Sequence, residues 1–270
     1  MRTRVELPRF KRRECALSKV PEYFGDLSAE YAQKQYRSGA RTFIAVRHAT
    51  VLGEIAALHL PTKTRVLDAG CGPGFLSRDL LDLGFAVESL DLSEGMVLEA
   101  RKTIGAARAS VSLGSIEALP YADASFDLVC CCGVIEYLPD YIQAAREFLR
   151  VLRPGGYLIL PTTNLYAPAN YLYPLVEFAK SSAWLRRIYR ASPRRDFPMH
   201  FHSPSRMARR LQELGFTLLS ERFFFLLPIP RPLNVISRGL SSRIERFMAR
   251  FGRTPLLRRI GEGYLPICRK

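Results

Sequence analysis

The spacing of apolar residues changes along this chain, and each change predicts an element. From Tyr23 to about Leu60 apolar positions recur every three or four residues, with Ile44, Val51, Ile55 and Leu58 among them, which predicts helix closed by Pro61. Arg65–Gly70 is a short apolar run ending in glycine and reads as a buried strand. Phe75–Leu83 predicts a helix stopped by Gly84, Ala86–Asp91 a strand, and Ser93–Ile104 a helix. Further strands are expected at Ser110–Leu113, Phe126–Cys132 and Gly156–Leu160, with a helix near Tyr141–Leu152 before an Arg153–Gly156 turn. Strands alternating with helices imply an α/β fold with a mostly parallel sheet.

After Pro161 the rhythm breaks, and 162–200 mixes prolines with Tyr166, Tyr171, Tyr173, Trp184 and Tyr189. Ser203 followed by Pro204 then opens a helix with a capping serine and a proline at the first helical position. That helix reaches Leu214 and ends at Gly215. Phe216–Phe225 is strand-like, Leu233–Phe251 is helical with Val235, Ile236, Leu240, Ile244 and Phe247 on one face, and Tyr264–Cys268 makes a last short strand.

Composition narrows the class. The chain of 270 residues is 48% hydrophobic and 24% charged, a globular balance. No apolar run approaches the roughly 18–20 residues of a membrane span, and the N-terminus lacks the apolar core of a secretory signal. Six cysteines, three of them consecutive at Cys130–Cys132, form no disulfide or metal-ligand spacing, which suggests a reducing cytoplasm. Charge is the unusual quantity. The formal net charge is +15, divided as +5 over 1–60, −4 over 61–160 and +14 over 161–270, where 18 of 20 basic residues are arginine. Opposite electrostatics in two parts suggest two jobs.

The strongest local signal is Asp68-Ala-Gly70-Cys71-Gly72-Pro-Gly74 between a strand and a helix. Glycines let backbone approach a ligand closely, and the helix N-terminus behind them offers free amides. Asp91 lies 21 residues after Gly70 at the end of the next strand, where a carboxylate accepts both hydroxyls of a ribose. The nicotinamide fingerprint Gly-x-Gly-x-x-Gly is not matched, since the third glycine comes one residue early, after Pro73. Hydride transfer is therefore disfavoured.

With these residues the chain resembles the class I S-adenosylmethionine-dependent methyltransferases of the small-molecule and quinone-modifying type. The resemblance is carried by Val66–Gly74, Leu90–Ser93 with Met96, Glu117–Pro120, Ser125–Val129, Val134–Pro139 and Leu152–Gly156, in family order across about 65–160. It implies a Rossmann-like seven-stranded, mostly parallel sheet with the last strand antiparallel, joined by N-terminal helices and an inserted and C-terminal substrate lid. The expected organisation is a basic arm at 1–22, a cofactor-binding core with N-terminal helices at 23–161, and a substrate-binding module at 162–270. The implied cofactor is S-adenosylmethionine. Gly70, Cys71, Gly72 and Gly74 would pack on its methionyl part, Asp68 would orient its amino group, Asp91 would hold the ribose, and Leu92 and Met96 would line the adenine. The family often has an acid where Ser115 and Ile116 stand, so adenine recognition here would use the serine or backbone. Cys132 and Gly133 should face the sulfonium, Tyr31 should cover the cofactor, and Arg41 should pair with its carboxylate. The acidic balance of 61–160 suits a cationic ligand.

Methyl transfer is an in-line displacement that releases a neutral thioether, so it requires no metal and no covalent enzyme intermediate. Positioning can supply about 7–11 kcal/mol, and a base acting on an acceptor hydroxyl a further 10²–10⁴-fold. Candidates for that chemistry are His200, His202, Glu136 and Tyr137; His202 also fits a docking role at the start of the 203–215 helix. His48 and His59 read as structural.

The expected acceptor is a hydrophobic small molecule, quinone-, polyketide- or lipid-like, methylated on oxygen rather than nitrogen. N-methylation of a small-molecule or lipid amine, RNA methylation and a catalytically silent cofactor-binding partner module are the alternatives. Nucleic acid is disfavoured because Cys132–Glu136 stands where base amino-methylation needs an Asn/Asp-Pro-Pro-aromatic motif, and no Pro-Cys nucleophile is present. The arginine-rich end fits a solvated surface or peripheral contact with the anionic inner face of a membrane through the 233–251 helix.

Overall fold

The structure is a computed structural model that describes residues 19–37, 42–105, 108, 110–167, 197–224 and 261–270. The early helical stretch is not continuous. It comprises α1 (19–26), α2 (Ser28–Ala32), a π-helical turn at Gln33–Arg37, and α3 (Phe43–Ala57). Thr42 restarts the helix by accepting from the Ala45 amide at 3.0 Å, a capping bond that apolar spacing does not reveal.

Strands β1 (Arg65–Ala69), β2 (Ala86–Asp91), β3 (Val111–Leu113), β4 (Phe126–Cys130) and β5 (Leu152–Ile159) are parallel, in the order β3-β2-β1-β4-β5. Helices α4 (Phe75–Asp82), α5 (Glu94–Ile104) and α6 (Ile142–Val151) connect them. The expected turn at Arg153–Gly156 lies within β5 instead. There the register to β4 jumps from Phe126↔Leu152 to Leu128↔Tyr157, so the glycines form an irregularity in a strand. Beyond β5 come β6 (Thr162–Thr163), α7 (Pro204–Glu213), β7 (Thr217–Phe224) and β8 (Gly263–Arg269). β8 pairs antiparallel with β5 and β6 on one edge and with β7 on the other. The sheet thus has eight strands, the two-residue β6 being the addition to the seven expected, and β8 alone runs against the rest. The predicted helix at 233–251 lies outside the described residues.

Strand alternation sorts the core onto two faces. Leu67, Val129, Cys131 and Leu158 meet Ala144 and Phe148 of α6 and Met207 and Leu211 of α7. Val66, Leu128, Cys130 and Ile159 meet Val51 and Ile55 of α3 and Leu76 and Leu80 of α4. Each fully buried leucine or phenylalanine contributes about 1.5–3 kcal/mol. The consecutive cysteines are thereby explained: Cys130 fills one face, Cys131 the other, and Cys132 lies just past the strand. The strand order reverses between β1 and β4, which opens a crevice at their C-terminal ends, where open α/β sheets bind ligands.

Candidate functional site

A cavity of about 340 Å³ occupies that crevice. The loop after β1 forms its floor. Gly70 and Gly72 have φ of 77° and 52°, and the Gly70 and Cys71 amides both donate to the Leu90 carbonyl, at 2.7 and 3.0 Å. A side chain on Gly70 would overlap Val134 on the far wall. Gly74 is off the cavity wall. It caps α4 at φ 78°, and an added Cβ would lie 2.9 Å from the Ala100 backbone, so its role is packing α4 against α5.

Asp91 ends β2 facing the cavity. Its two oxygens accept from the Gly72 amide at 2.8 Å and the Ser93 amide at 2.9 Å, which fixes the carboxylate while leaving lone pairs for a diol. Burial raises its pKa, and the two amides offset part of that. Leu92, Met96, Ser115 and Ile116 line the cavity beyond it, under the end of β3. The Ser115 hydroxyl accepts from the Glu117 amide at 3.1 Å and keeps a lone pair and its hydrogen for other partners.

At the other end Asp68 is 1% exposed and accepts from the Ser77 hydroxyl at 2.6 Å. Burial raises its pKa to about 6, against the Ser77 bond. Facing this end is a residue that was not foreseen, Arg47 of α3, 8% exposed and on the cavity wall. Burial opposes its charge, but a guanidinium titrates so far above neutrality that it stays protonated, and Glu136 nearby favours the charged form. Arg47 donates to Tyr36 and makes no ion pair with a carboxylate among the described residues. Burial pushes the Tyr36 phenol to about 12, so it stays neutral. Gly133 has φ 71°, and a Cβ there would overlap the Arg47 guanidinium, so the glycine makes room for the arginine. Arg41, the expected carboxylate partner, lies outside the described residues. Cys132 also lines the cavity, its thiol pushed up to about 12 by burial and therefore not a thiolate at neutral pH.

Aromatic rings line part of the same cavity. Val20, Pro21 and Phe24 of α1 face it with Tyr31 and Tyr137. Phe24 meets Tyr31 edge-on at 5.7 Å and Tyr137 at 5.2 Å, and Phe197 meets Tyr137 at 5.8 Å.

Of the four candidates for chemistry, only Tyr137 reaches the cavity wall. Glu136 is 2% exposed; one oxygen accepts from the Thr163 amide at 2.9 Å and its hydroxyl at 3.2 Å, while the other is buried without a partner. The Glu136 carbonyl accepts from the His200 amide at 2.7 Å. Burial lowers the pKa of His200, and its Nε2 is buried with no hydrogen-bond partner. His202 stacks edge-on against Tyr141 at 4.9 Å, with Nε2 3.4 Å from the Ile135 carbonyl. Burial lowers its pKa too. No group of three metal-ligating side chains occurs among the described residues, and no helix among them is long and apolar enough to cross a membrane.

Residues 67–160, which carry this loop, Asp91 and the Val134–Pro139 wall, match the methyltransferase domain family. The chain is 45% identical over 105 residues to a malonyl-[acyl-carrier protein] O-methyltransferase of Enterobacter lignolyticus, covering 38% of this chain and 41% of that protein. It is 31% identical over 156 residues to a ubiquinone biosynthesis O-methyltransferase of Thiobacillus denitrificans, covering 56% and 63%. Residues 67–160 are a methyltransferase domain. The chain spans less than two thirds of the length of these curated relatives. The fold of the methyltransferase domain and its flanks recurs in an S-adenosylmethionine-dependent methyltransferase from Thermotoga maritima, with a TM-score of 0.59 at 20% identity, covering 92% of this chain and 99% of that one.

The cofactor of such a methyltransferase is S-adenosylmethionine, and the residues present fit it. A buried guanidinium with no described carboxylate partner and a buried carboxylate with a raised pKa share one end of the cavity, as the carboxylate and ammonium of an amino acid require. Between the cavity's two ends, Gly72 leaves open space where a side chain would stand, and Cys71 and Pro73 line the wall beside it.

Proposed function

We propose that the protein transfers a methyl group from S-adenosylmethionine to a hydroxyl of a hydrophobic small molecule. The observation that carries this reading is the single cavity whose ends present Asp91 for a ribose and Arg47 with Asp68 for an amino acid. The bound cofactor would supply an electrophilic methyl group, and the work of the chain would be positioning and exclusion of water. In this reading Asp91, fixed by two amides, holds the nucleoside end, and Leu92, Met96, Ser115 and Ile116 enclose the base. Asp68 and Arg47 hold the amino-acid end, and Gly70, Cys71, Gly72, Cys132 and Gly133 line the stretch between. Phe24, Tyr31, Tyr137 and Phe197 keep water from the reacting atoms.

Oxygen as the acceptor atom is supported by the names of both relatives, each an O-methyltransferase. His200, whose pKa burial lowers and whose buried Nε2 has no hydrogen-bond partner, is the remaining candidate base, though it lies off the cavity wall. His202, committed to Tyr141 and Ile135, is read as docking the start of α7. Glu136 is read as holding β6 and the His200 segment in place. Residues 162–203 and the C-terminal segments would bind the acceptor.

Incubation with isotopically labelled S-adenosylmethionine and an extract of cellular small molecules, followed by mass identification of the labelled product, tests the reading. A methyl ether supports it, and a methyl ester moves the acceptor from a hydroxyl to a carboxylate oxygen. A labelled amine moves the acceptor atom to nitrogen, and label taken up by RNA in a parallel reaction with total RNA overturns the small-molecule assignment. A protein that binds S-adenosylhomocysteine yet labels nothing is a partner module instead.

A further inference from the structure

The wall at the base end of the cavity is a loop rather than a strand or helix. Gly114, Ser115, Ile116 and Glu117 line the cavity there, between β3 and β4. The Gly114 amide donates to the Asp91 carbonyl at 2.9 Å, and the loop then turns on itself, the Ala118 amide donating to the Ser115 carbonyl at 3.3 Å. Ile116 and Leu119 are buried in the core, but apolar contact is non-directional and does not set where a loop's polar atoms point. Directed bonds come from α6, on the side away from the cavity. Arg150 uses all five of its N–H groups: Nε on Glu147 Oε1 at 2.9 Å, Nη1 on the Tyr121 carbonyl at 2.7 Å and Asp123 Oδ1 at 2.8 Å, and Nη2 on the Leu119 carbonyl at 3.0 Å and Glu147 Oε2 at 2.8 Å. Glu147 Oε2 also accepts from the Leu119 amide at 2.8 Å.

These bonds differ in weight. Asp123 is 77% exposed, so its ion pair with Arg150 contributes little. The Leu119 and Tyr121 carbonyls, with Glu147 holding the guanidinium in plane, do the fastening, because a rigid planar fork fixes the spacing of the groups it bonds. Glu147 and Arg150 both stand outside the cavity wall. We propose that the Glu147–Arg150 pair positions the base of the cofactor: by holding the loop at Leu119 and Tyr121 it sets where residues 114–117 stand, and so governs affinity for the base without touching the ligand. This rests on the reading of the cavity as the cofactor site. Both side chains are positioning residues, acting through the loop.

The test compares S-adenosylhomocysteine with S-ribosylhomocysteine, which keeps the sugar and the amino acid and lacks the base. Dissociation constants are measured by calorimetry, with thermal unfolding as the check on folding. Arg150→Met keeps an apolar stem and removes the fork. Glu147→Gln keeps an oxygen for the Leu119 amide and removes the charge that anchors Arg150. Lys270→Met is the control for stability, since Lys270 Nζ donates to the Leu149 and Leu152 carbonyls, both at 2.7 Å, at the same end of α6. Arg150→Met is expected to bind S-adenosylhomocysteine about tenfold more weakly, within the range seen for side chains that do not touch the ligand, and S-ribosylhomocysteine within about twofold of the wild type. Glu147→Gln should show the same selectivity at about threefold, and it decides the matter should Arg150→Met not fold. Lys270→Met should lower the melting temperature and leave both constants within about twofold. Equal weakening for both ligands, or none for either, would mean that the pair only fastens α6 and would overturn the proposal. So would a Lys270→Met protein weakened for S-adenosylhomocysteine as much as Arg150→Met. Where S-ribosylhomocysteine binds too weakly to measure, hydrogen exchange over 114–120 decides: S-adenosylhomocysteine should slow it in the wild type and much less in Arg150→Met, and equal slowing overturns the proposal. A wild type that binds both ligands equally overturns it and leaves the cofactor reading standing. A wild type that binds neither overturns both.

Discussion

Replacing Asp68 with asparagine should make the ligand-free protein more stable and the cofactor site useless. Asp68 is 1% exposed at the C-terminal end of β1, and burial, eased by the Ser77 hydroxyl at 2.6 Å, raises its pKa from 3.8 to about 6. The sign follows from linkage. A carboxyl whose folded pKa lies above its unfolded value favours the folded state when protonated, and that contribution is lost as pH rises through the folded value. At pH 8 the wild type therefore carries a charge that costs roughly 3 kcal/mol, taking 1.36 kcal/mol for each of about two units. Asparagine keeps an oxygen to accept from Ser77 and removes the charge, though its amide needs partners of its own. A net gain of about 1–3 kcal/mol is expected, or roughly 3–8 °C in midpoint for a chain of this size. Differential scanning fluorimetry of both proteins from pH 4.5 to pH 8 measures it. The gap should open between pH 4 and pH 6 and stay open above. Adding S-adenosylhomocysteine should raise the wild-type midpoint and leave the variant unmoved, because the ammonium has lost its anion. A variant less stable than the wild type at pH 8, or a gap of equal size at pH 4.5 and pH 8, would refute the assignment of a frustrated charge awaiting a cation.

Further outcomes follow from the same geometry. Arg47→Met should weaken S-adenosylhomocysteine binding by about 2–5 kcal/mol, as truncation of a buried charge partner does, with little loss of thermal stability, since the guanidinium has no described carboxylate partner to abandon. Gly133→Ala should lose cofactor affinity with Arg47 untouched in sequence, because φ 71° and the overlap with the guanidinium both oppose a side chain; the strain of about 1–3 kcal/mol should also appear as a lower melting temperature. Lys270→Met should destabilise by about 1–3 kcal/mol, since Lys270 Nζ donates to the Leu149 and Leu152 carbonyls, both at 2.7 Å, at the C-terminal end of α6; chemical denaturation reads this directly. If His200 is the base, kcat/KM should fall as pH drops through its lowered pKa and protonation removes the lone pair. His200→Gln should abolish that limb, and a variant with wild-type rate and profile would remove His200 from the mechanism.

The sheet was legible because its strands are buried on both faces and punctuated by glycine. Arg65–Ala69, Ala86–Asp91 and Phe126–Cys130 fall where apolar runs predicted them, within two residues. The floor of the cavity was legible for a related reason: a loop that must pass close to a ligand excludes side chains, and glycine spacing records that exclusion. Breaks that depend on one hydrogen bond were hidden, as at Thr42, where a side-chain oxygen restarts a helix without changing the apolar period. The Arg153–Gly156 stretch misled because glycines that kink a strand and glycines that turn a chain leave the same letters. The candidates for catalysis are placed unevenly. Tyr137 reaches the cavity, while Glu136 and His202 are committed to holding neighbouring backbone and rings.

Arg47 shows why the carboxylate end of the site was missed and how it could have been found. The buried stripe of α3 is Arg47, Val51 and Ile55, an arginine in phase with two core positions four and eight residues on. Arginine on the apolar stripe of a helix is rare unless something offsets its charge. No carboxylate in the described structure does so at ion-pair distance; Glu136 acts on the guanidinium from farther away, and an anionic ligand in the cavity would complete the offset. The same logic fixes the glycine across from it. Gly133 follows the last cysteine of the 130–132 run, and its bare Cα is what admits the guanidinium to the cavity. Helix and loop lie 86 residues apart, so neither position alone looks functional. In the proposed reading they make a pocket for an anion beside Asp68, and that pairing would separate an amino-acid site from a site for a plain nucleotide.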